Sequence, residues 1–382
     1  MGLLRFKIIY LVFLLLIAGC ARSLIKYTAR LDDDPYPMFG KIPSREFNLP
    51  VNISDSLTLK WESDMYGSFP NSSVSIYDDL VFINDLAGRI FCYKFEDGKQ
   101  IGMLKYSSGS VYSTPVLFRS EVVFPVAEDK KNLTQLVIYD YQEGKEVNNI
   151  EIPGRVLTQM IASGDDVLFT TDIGSAYRFS KSGKKIWETN TQKSTRSSPA
   201  MTNDLFIFGN DDGEIIALNA ATGDSVYVKN IGGSFYSGLT ISGNVIYVGN
   251  ENNKIYALNV KDGTVIWQFD TGSKIIMNPA VDNNHVYVGN LAGSFYSLNK
   301  TNGDKNWSIS FSSVLNSTPL ITDNLIILPD VLYSIHFLNK ETGEVVKSIM
   351  LDGRAKLSPV IHKNILFIGF DNGIIRAYEF AD

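Results

Sequence analysis

The sequence predicts an all-β protein, an eight-bladed β-propeller of four-stranded antiparallel blades closed by an N-terminal strand. Three observations carry that expectation. A glycine-centred turn recurs at Gly98, Gly144, Gly183, Gly223, Gly263, Gly303 and Gly343, at spacings of 46, 39, 40, 40, 40 and 40 residues. A period near 40 that holds four short β segments has the length of a propeller blade. An apolar run returns eight times, near Val81, Val123, Leu168, Phe206, Ile246, Tyr287, Ile326 and Phe367. The chain ends on a third strand, Gly373 to Phe380, whereas Leu57 to Glu62 reads as a fourth strand with nothing before it. Pairing these two halves closes the ring and hides edges that would otherwise invite aggregation.

Taken in chain order, residues 1–19 are expected to be a lipoprotein signal peptide. Arg5 and Lys7 precede an apolar stretch from Ile8 to Ile17 that is too short for a typical membrane span. It ends at Ile17-Ala18-Gly19-Cys20, a lipobox pattern of a branched residue and two small ones before the cysteine that receives lipid. Cys20 is therefore the expected lipidation site and first mature residue. Ala21 follows, not an aspartate, which by the usual sorting rule indicates the outer membrane, with the protein facing the periplasm. Residues 20–56 read as a lipid-anchored, solvated linker. They hold Asp32-Asp33-Asp34, Pro35, Pro37, Pro43 and Pro50, and no repeat signature.

The propeller is expected over 57–382. Its best-preserved unit runs from Trp267 to Trp307. It contains Asn278-Pro279-Ala280-Val281, then Val286-Tyr287-Val288-Gly289-Asn290, then Gly293 to Asn299, then the turn at Gly303. Short β-branched and aromatic runs punctuated by Gly, Asn and Asp read as antiparallel strands. The second strand is apolar throughout, as for one buried on both faces, and the third alternates. Glycine suits the recurrent turn because it takes positive φ freely, as two-residue hairpins often require. Trp187, Trp267 and Trp307 each lie four residues after a turn glycine, and Trp61 stands at nearly the same distance before the next one. Such placement predicts structural indoles wedged between blades. Gly102, Asn148, Tyr227 and Lys347 occupy the equivalent offset in the other copies.

Composition narrows the chemistry. The formal charge is −6, and removing residues 1–19 leaves 33 basic against 41 acidic side chains, or −8. An acidic chain without a basic cluster argues against nucleic acid as a partner. With Cys20 lipidated, Cys92 has no intrachain partner. The three histidines, His285, His336 and His362, fall at different repeat positions, so no metal centre is expected, and His285 reads as a strand-end residue. Asn210-Asp211-Asp212-Gly213-Glu214 is oxygen-rich, yet its counterparts in other copies mark it as a hairpin turn rather than a calcium loop. No phosphate loop, nucleotide fingerprint or nucleophile elbow occurs, and no catalytic residues or cofactor are expected.

The tryptophan strand, the Ser-x-Pro segments (Ser197-Ser198-Pro199 and Ser317-Thr318-Pro319), the Tyr-Val-Gly-Asn run and the Ala-Leu-Asn segment with its Thr-Gly turn resemble the pyrroloquinoline-quinone-type propeller repeat. The resemblance covers Leu57 to the C-terminus. One branch of that superfamily, the quinoprotein dehydrogenases, implies adjacent cysteines, a calcium ion and a catalytic aspartate. The cysteine pair is absent here, and the chain is shorter. The other branch, the lipid-anchored assembly-factor B type of the outer-membrane β-barrel assembly machine, is similar in length, lipobox and repeat number.

That resemblance implies a non-catalytic scaffold, a monomer within a complex, whose partner is an outer-membrane barrel-assembly protein. It also implies contact through the loops before the fourth and fifth blades, here Gln192 to Arg196 and Ile231 to Tyr236. Arg196 resembles the family's loop arginine, while Ser234, Phe235 and Tyr236 replace the expected acidic pair. Phe235 and Tyr236 then either form an exposed aromatic anchor or pack at the mouth of the ring. Arg196 is either a contact or an ordinary surface charge. A ligand-binding or sensory propeller at the cell surface is the alternative to the scaffold, and a quinone-dependent dehydrogenase is a third, less favoured one.

Overall fold

A computed structural model describes residues 24–28 and 34–381. The expected signal peptide, Cys20, Asp32 and Asp33 lie outside the described residues. Among the described residues, thirty-two strands form eight four-stranded antiparallel sheets arranged as the blades of a propeller. Within blade 5 the strands are Thr240–Ser242, Val245–Gly249, Lys254–Asn259 and Val265–Asp270, running from the central channel to the rim. The second strand is buried, as its apolar run requires. The third does not alternate as expected; its central residues are all buried, because neighbouring blades still cover it at that radius. Alternation appears on the fourth strand, at the rim, where one face loses its neighbour.

The last blade is assembled from both ends of the chain. Leu57–Asp64 pairs antiparallel with Ile374–Phe380, with Trp61 opposite Ala377. The N-terminal segment thereby becomes the rim strand beside Val360–His362, Ile365–Gly369 and Ile374–Phe380.

The repeated turn is longer than a two-residue hairpin. At blade 4, Gly223 N–H donates to the Asn219 carbonyl at 2.8 Å, and the Asn219 side chain accepts from Ala221 and Thr222 N–H. Gly223 has φ +79°, and a Cβ there would stand 2.8 Å from the Trp187 ring. The same glycine-on-indole contact joins Gly98 to Trp61, Gly303 to Trp267 and Gly343 to Trp307. Each indole Nε1–H donates to the carbonyl three residues before that glycine: Phe95, Ala220, Lys300 and Lys340, at 2.9–3.1 Å. A flat ring on a residue without Cβ gives close contact, and the carbonyl satisfies the one polar atom that would be costly to bury. Tyr227 and Asn148 take the indole's place against Gly263 and Gly183.

Gly102 leaves the seam between blades 1 and 2 without a side chain, and the N-terminal segment fills it. A Cβ on Gly102 would lie 2.6 Å from the Leu24 carbonyl, and Ile25 is completely buried. Tyr27 N–H donates to the Tyr141 carbonyl at 2.7 Å, three residues before the turn glycine Gly144. Backbone thus supplies the hydrogen bond that an indole supplies elsewhere.

Residues 34–56, expected to be a solvated linker, are instead a strap packed across one end of the central channel. Their carbonyls accept hydrogen bonds from the innermost strands in sequence: Tyr36 from Ile76, Pro37 from Leu117, Pro43 from Met201, Ser44 from Ile241, Glu46 from Val281 and Phe47 from Ile321. Innermost strands have one edge unpaired, and the strap satisfies it. Pro37 and Pro43 suit this role, since only their carbonyls are called upon, while Tyr36 and Leu49 also donate N–H to the Ile76 and Ile321 carbonyls. Tyr36, Met38, Phe39, Phe47 and Ile53 are buried. Asp34, of the acidic triplet, pairs with Lys41 at 2.6 Å.

Candidate partner-binding face

In an antiparallel four-stranded blade, the loops before the first strand and after the second lie on the face away from the strap. That face carries the predicted partner-binding residues. Arg196 precedes the first strand of blade 4, and Asp211 follows its second strand. The Arg196 guanidinium grips Asp211, with Nε 3.0 Å and Nη2 2.7 Å from Oδ2. Nη2 also donates to the Tyr236 hydroxyl at 2.8 Å, and the guanidinium carbon lies 4.3 Å from the centre of the Tyr236 ring. Hydrogen bonding to Asp211 raises the Arg196 pKa above its already high ordinary value. About half of the Arg196 side chain remains exposed, and Asp211 is largely covered.

Arg196 and Tyr236 meet, and the carboxylate that Arg196 holds is the chain's own. Asp211 was read as an ordinary turn residue, and its role was missed. A signal existed: Asp172, Asp211, Glu251 and Asp371 recur at one repeat position. Asp172 pairs with Arg155 at 2.8 Å, Glu251 with Lys274 at 2.9 Å and Asp371 with Arg354 at 2.6 Å. Acid–base pairing on this face is therefore a property of the repeat, and Arg196 is the member that also stacks on tyrosine.

Phe235 is completely buried, so of its two readings the packed one holds and its place as an exposed partner-binding anchor is corrected. Its side chain packs on Gly209, where a Cβ would stand 2.6 Å from the Phe235 Cβ and 2.7 Å from its ring. The counterparts one and two periods later, Ile275 and Leu315, are equally buried. That apolar position recurs every 40 residues, and the period marks it as core. Ser234 is half-buried and spent on the fold, its hydroxyl donating to the Asp211 carbonyl at 2.6 Å. Tyr236 alone of the aromatic pair reaches the surface.

The channel opens beside these residues. A polar cavity of about 170 Å³ is lined by Arg196 and Tyr236 at its mouth, by Gln159, Ser198 and Asn278 among others along its walls, and by Phe39 of the strap. The fold raises the question of a quinone cofactor. Small-molecule sites usually measure roughly 300–1,000 Å³ and are mostly apolar. This one is smaller and polar, and no cysteine lines it. A flat tricyclic polycarboxylate does not fit it. Among the described residues, no group of three or more His, Cys, Asp or Glu is placed to hold a metal ion. Cys92 is buried in blade 1, where desolvation pushes its thiol well above the ordinary range and makes it unreactive.

The family model for outer membrane protein assembly factor BamB matches residues 131–231, 172–277 and 272–382. No curated protein sequence matches the chain. Among solved structures, BamB from Moraxella catarrhalis superposes with a TM-score of 0.73 at 16% identity, over 85% of this chain and 100% of that one. The computationally designed Ika8 protein gives 0.73 at 13% identity, over 84% and 99%. The quinohemoprotein alcohol dehydrogenase from Comamonas testosteroni gives 0.76 at 10% identity, over 92% and 81%. Likeness at these identities shows a shared fold, in an assembly factor, a design and an enzyme alike.

Proposed function

The chain belongs to the outer membrane protein assembly factor BamB family, and we propose that it is a non-catalytic, lipid-anchored scaffold in outer-membrane β-barrel protein assembly. The family match, which spans most of the propeller, carries this reading. The polar face at Arg196, Asp211 and Tyr236 is the surface offered to a barrel-type partner. A guanidinium held flat by a carboxylate and a tyrosine ring loses little freedom on binding, and arginine and tyrosine dominate interface energetics. Asp211 and Arg196 together offer both an acceptor and a donor edge.

The anchor reading rests on the lipobox at Cys20. Leu24 packs on Gly102 at the seam of blades 1 and 2. Four residues span at most about 14 Å. A lipid on Cys20 would hold that rim near the membrane. Two or more acyl chains suffice for stable anchoring.

The test is co-purification from solubilised envelope. Arg196→Ala combined with Tyr236→Ala is expected to reduce recovery of a barrel-type membrane partner at least tenfold, with the melting temperature nearly unchanged. Undiminished recovery by the double variant would overturn the assignment of this face.

A further inference from the structure

We propose that the closed end of the central channel is a binding site for a small oxyanion, received by the guanidinium of Arg45. Arg45 is the bulkiest of the completely buried side chains among the described residues. Nη2 donates to the carbonyls of Gln159 and Met160, at 3.0 and 3.1 Å. Nε and Nη1 are buried and have no hydrogen-bond partner. The face of Phe39 lies beneath the guanidinium, its centre 5.7 Å from the guanidinium carbon.

A buried guanidinium normally meets a carboxylate. Here burial alone acts on Arg45, pushing it down to about 9, and no charged group among the described residues opposes that shift. Nε–H and the Nη1 hydrogens point to different sides of the guanidinium, so Arg45 keeps an unmet donor on each. The strap adopts an unusual backbone around this residue. Lys41, Arg45 and Phe47 all have positive φ, at 66°, 59° and 53°. Such conformations are uncommon away from glycine and concentrate where function demands them.

The channel supplies the route. Phe39 and Gln159, the two residues against which Arg45 is held, both line the cavity of about 170 Å³. Its walls carry neutral donors such as Asn71, Ser198 and Asn278, and no carboxylate lines it. Arg196 stands at the open mouth. An anion therefore meets one cation on entering and another behind the channel floor. The volume admits an inorganic oxyanion or a short carboxylate and excludes larger ligands. The channel opens on the partner-binding face, but anion binding at Arg45 does not depend on the assembly role.

Thermal unfolding of the full mature chain, titrated with inorganic phosphate or formate at constant ionic strength, tests the proposal. A ligand that binds only the folded state raises the midpoint saturably. The wild type is expected to respond to at least one probe, and Arg45→Gln to need at least tenfold more of it. Arg45→Lys, which keeps charge but not the planar donor set, should fall between. A response to phosphate alone identifies a tetrahedral inorganic anion, and a response to formate alone identifies a carboxylate. Crystals grown with selenate, an oxyanion with an anomalous signal, should show selenium beside Arg45. Parallel midpoint curves for wild type and Arg45→Gln, or crystals without selenium at Arg45, would overturn the site. If Arg45→Gln fails to fold, Arg45→Lys and the selenate map decide.

Discussion

At Gly303 the absence of a single carbon sets a whole seam. Its φ is +77°, and a Cβ would lie 2.6 Å from Cε3 of Trp267, whose ring is itself buried between blades. Gly243 has φ +60° with nothing within 4 Å of the same imaginary atom. The pair separates backbone strain from steric conflict. Gly243→Ala is expected to cost about 1 kcal/mol, the penalty for alanine at positive φ. Gly303→Ala should cost that and a further 1–3 kcal/mol or so, because overpacking displaces the indole and its hydrogen bond to Lys300. Denaturant midpoints measure both, and equal losses would show that the glycine-on-indole contact is incidental. The recurrent turn glycines and tryptophans were legible in the sequence because each repeat repeats the same local contact. Asp211 was not, because its arginine comes from a preceding loop two positions away from where Arg155 and Arg354 stand in their own blades.

Among elements, the N-terminal segment departs furthest from expectation. Low periodicity and four prolines read as a linker, yet the strap gives carbonyl after carbonyl to the inner strands. Its first described part, residues 24–28, replaces an indole at the one seam where the repeat supplies a glycine. Truncating the chain to begin after Thr28 should therefore loosen one seam selectively. Hydrogen exchange is expected to quicken at least tenfold in Leu133–Asp140 and Lys145–Pro153 and to stay unchanged in Ser225–Asn230, whose seam is made elsewhere. Uniform acceleration round the ring would show that the segment acts globally. Unchanged exchange would show that it contributes nothing to the seam.

For the molecule as a whole, closure is the decisive feature. A ring of blades joined only to neighbours behaves as a one-dimensional array unless its ends meet. Here they meet through Leu57–Asp64 on Ile374–Phe380, and Trp61 then docks on Gly98 of blade 1. Deleting Leu57 to Glu62 removes both links. The variant is expected to melt at least 10 °C lower and to unfold over a broader range, with the Ile374–Phe380 edge open to self-association. A sharp, wild-type transition would mean that the ring does not depend on this strand.

The sequence by itself determined the strand class, the number of blades, the turn glycines, the seam tryptophans and the strand that closes the ring. All of these depend on contacts within one blade or between adjacent blades, and a 40-residue period records them many times over. Only the tertiary structure decided the course of the strap, the burial of Phe235, the pairing of Arg196 with Asp211 and the isolation of Arg45. The strap's contacts join residues as far apart as Arg45 and Met160, or Ile53 and Asn324. Each is made once, between a segment without a repeat and a surface that exists only when the ring is closed. A pattern that occurs once leaves no period to read, so its physics becomes visible only in three dimensions.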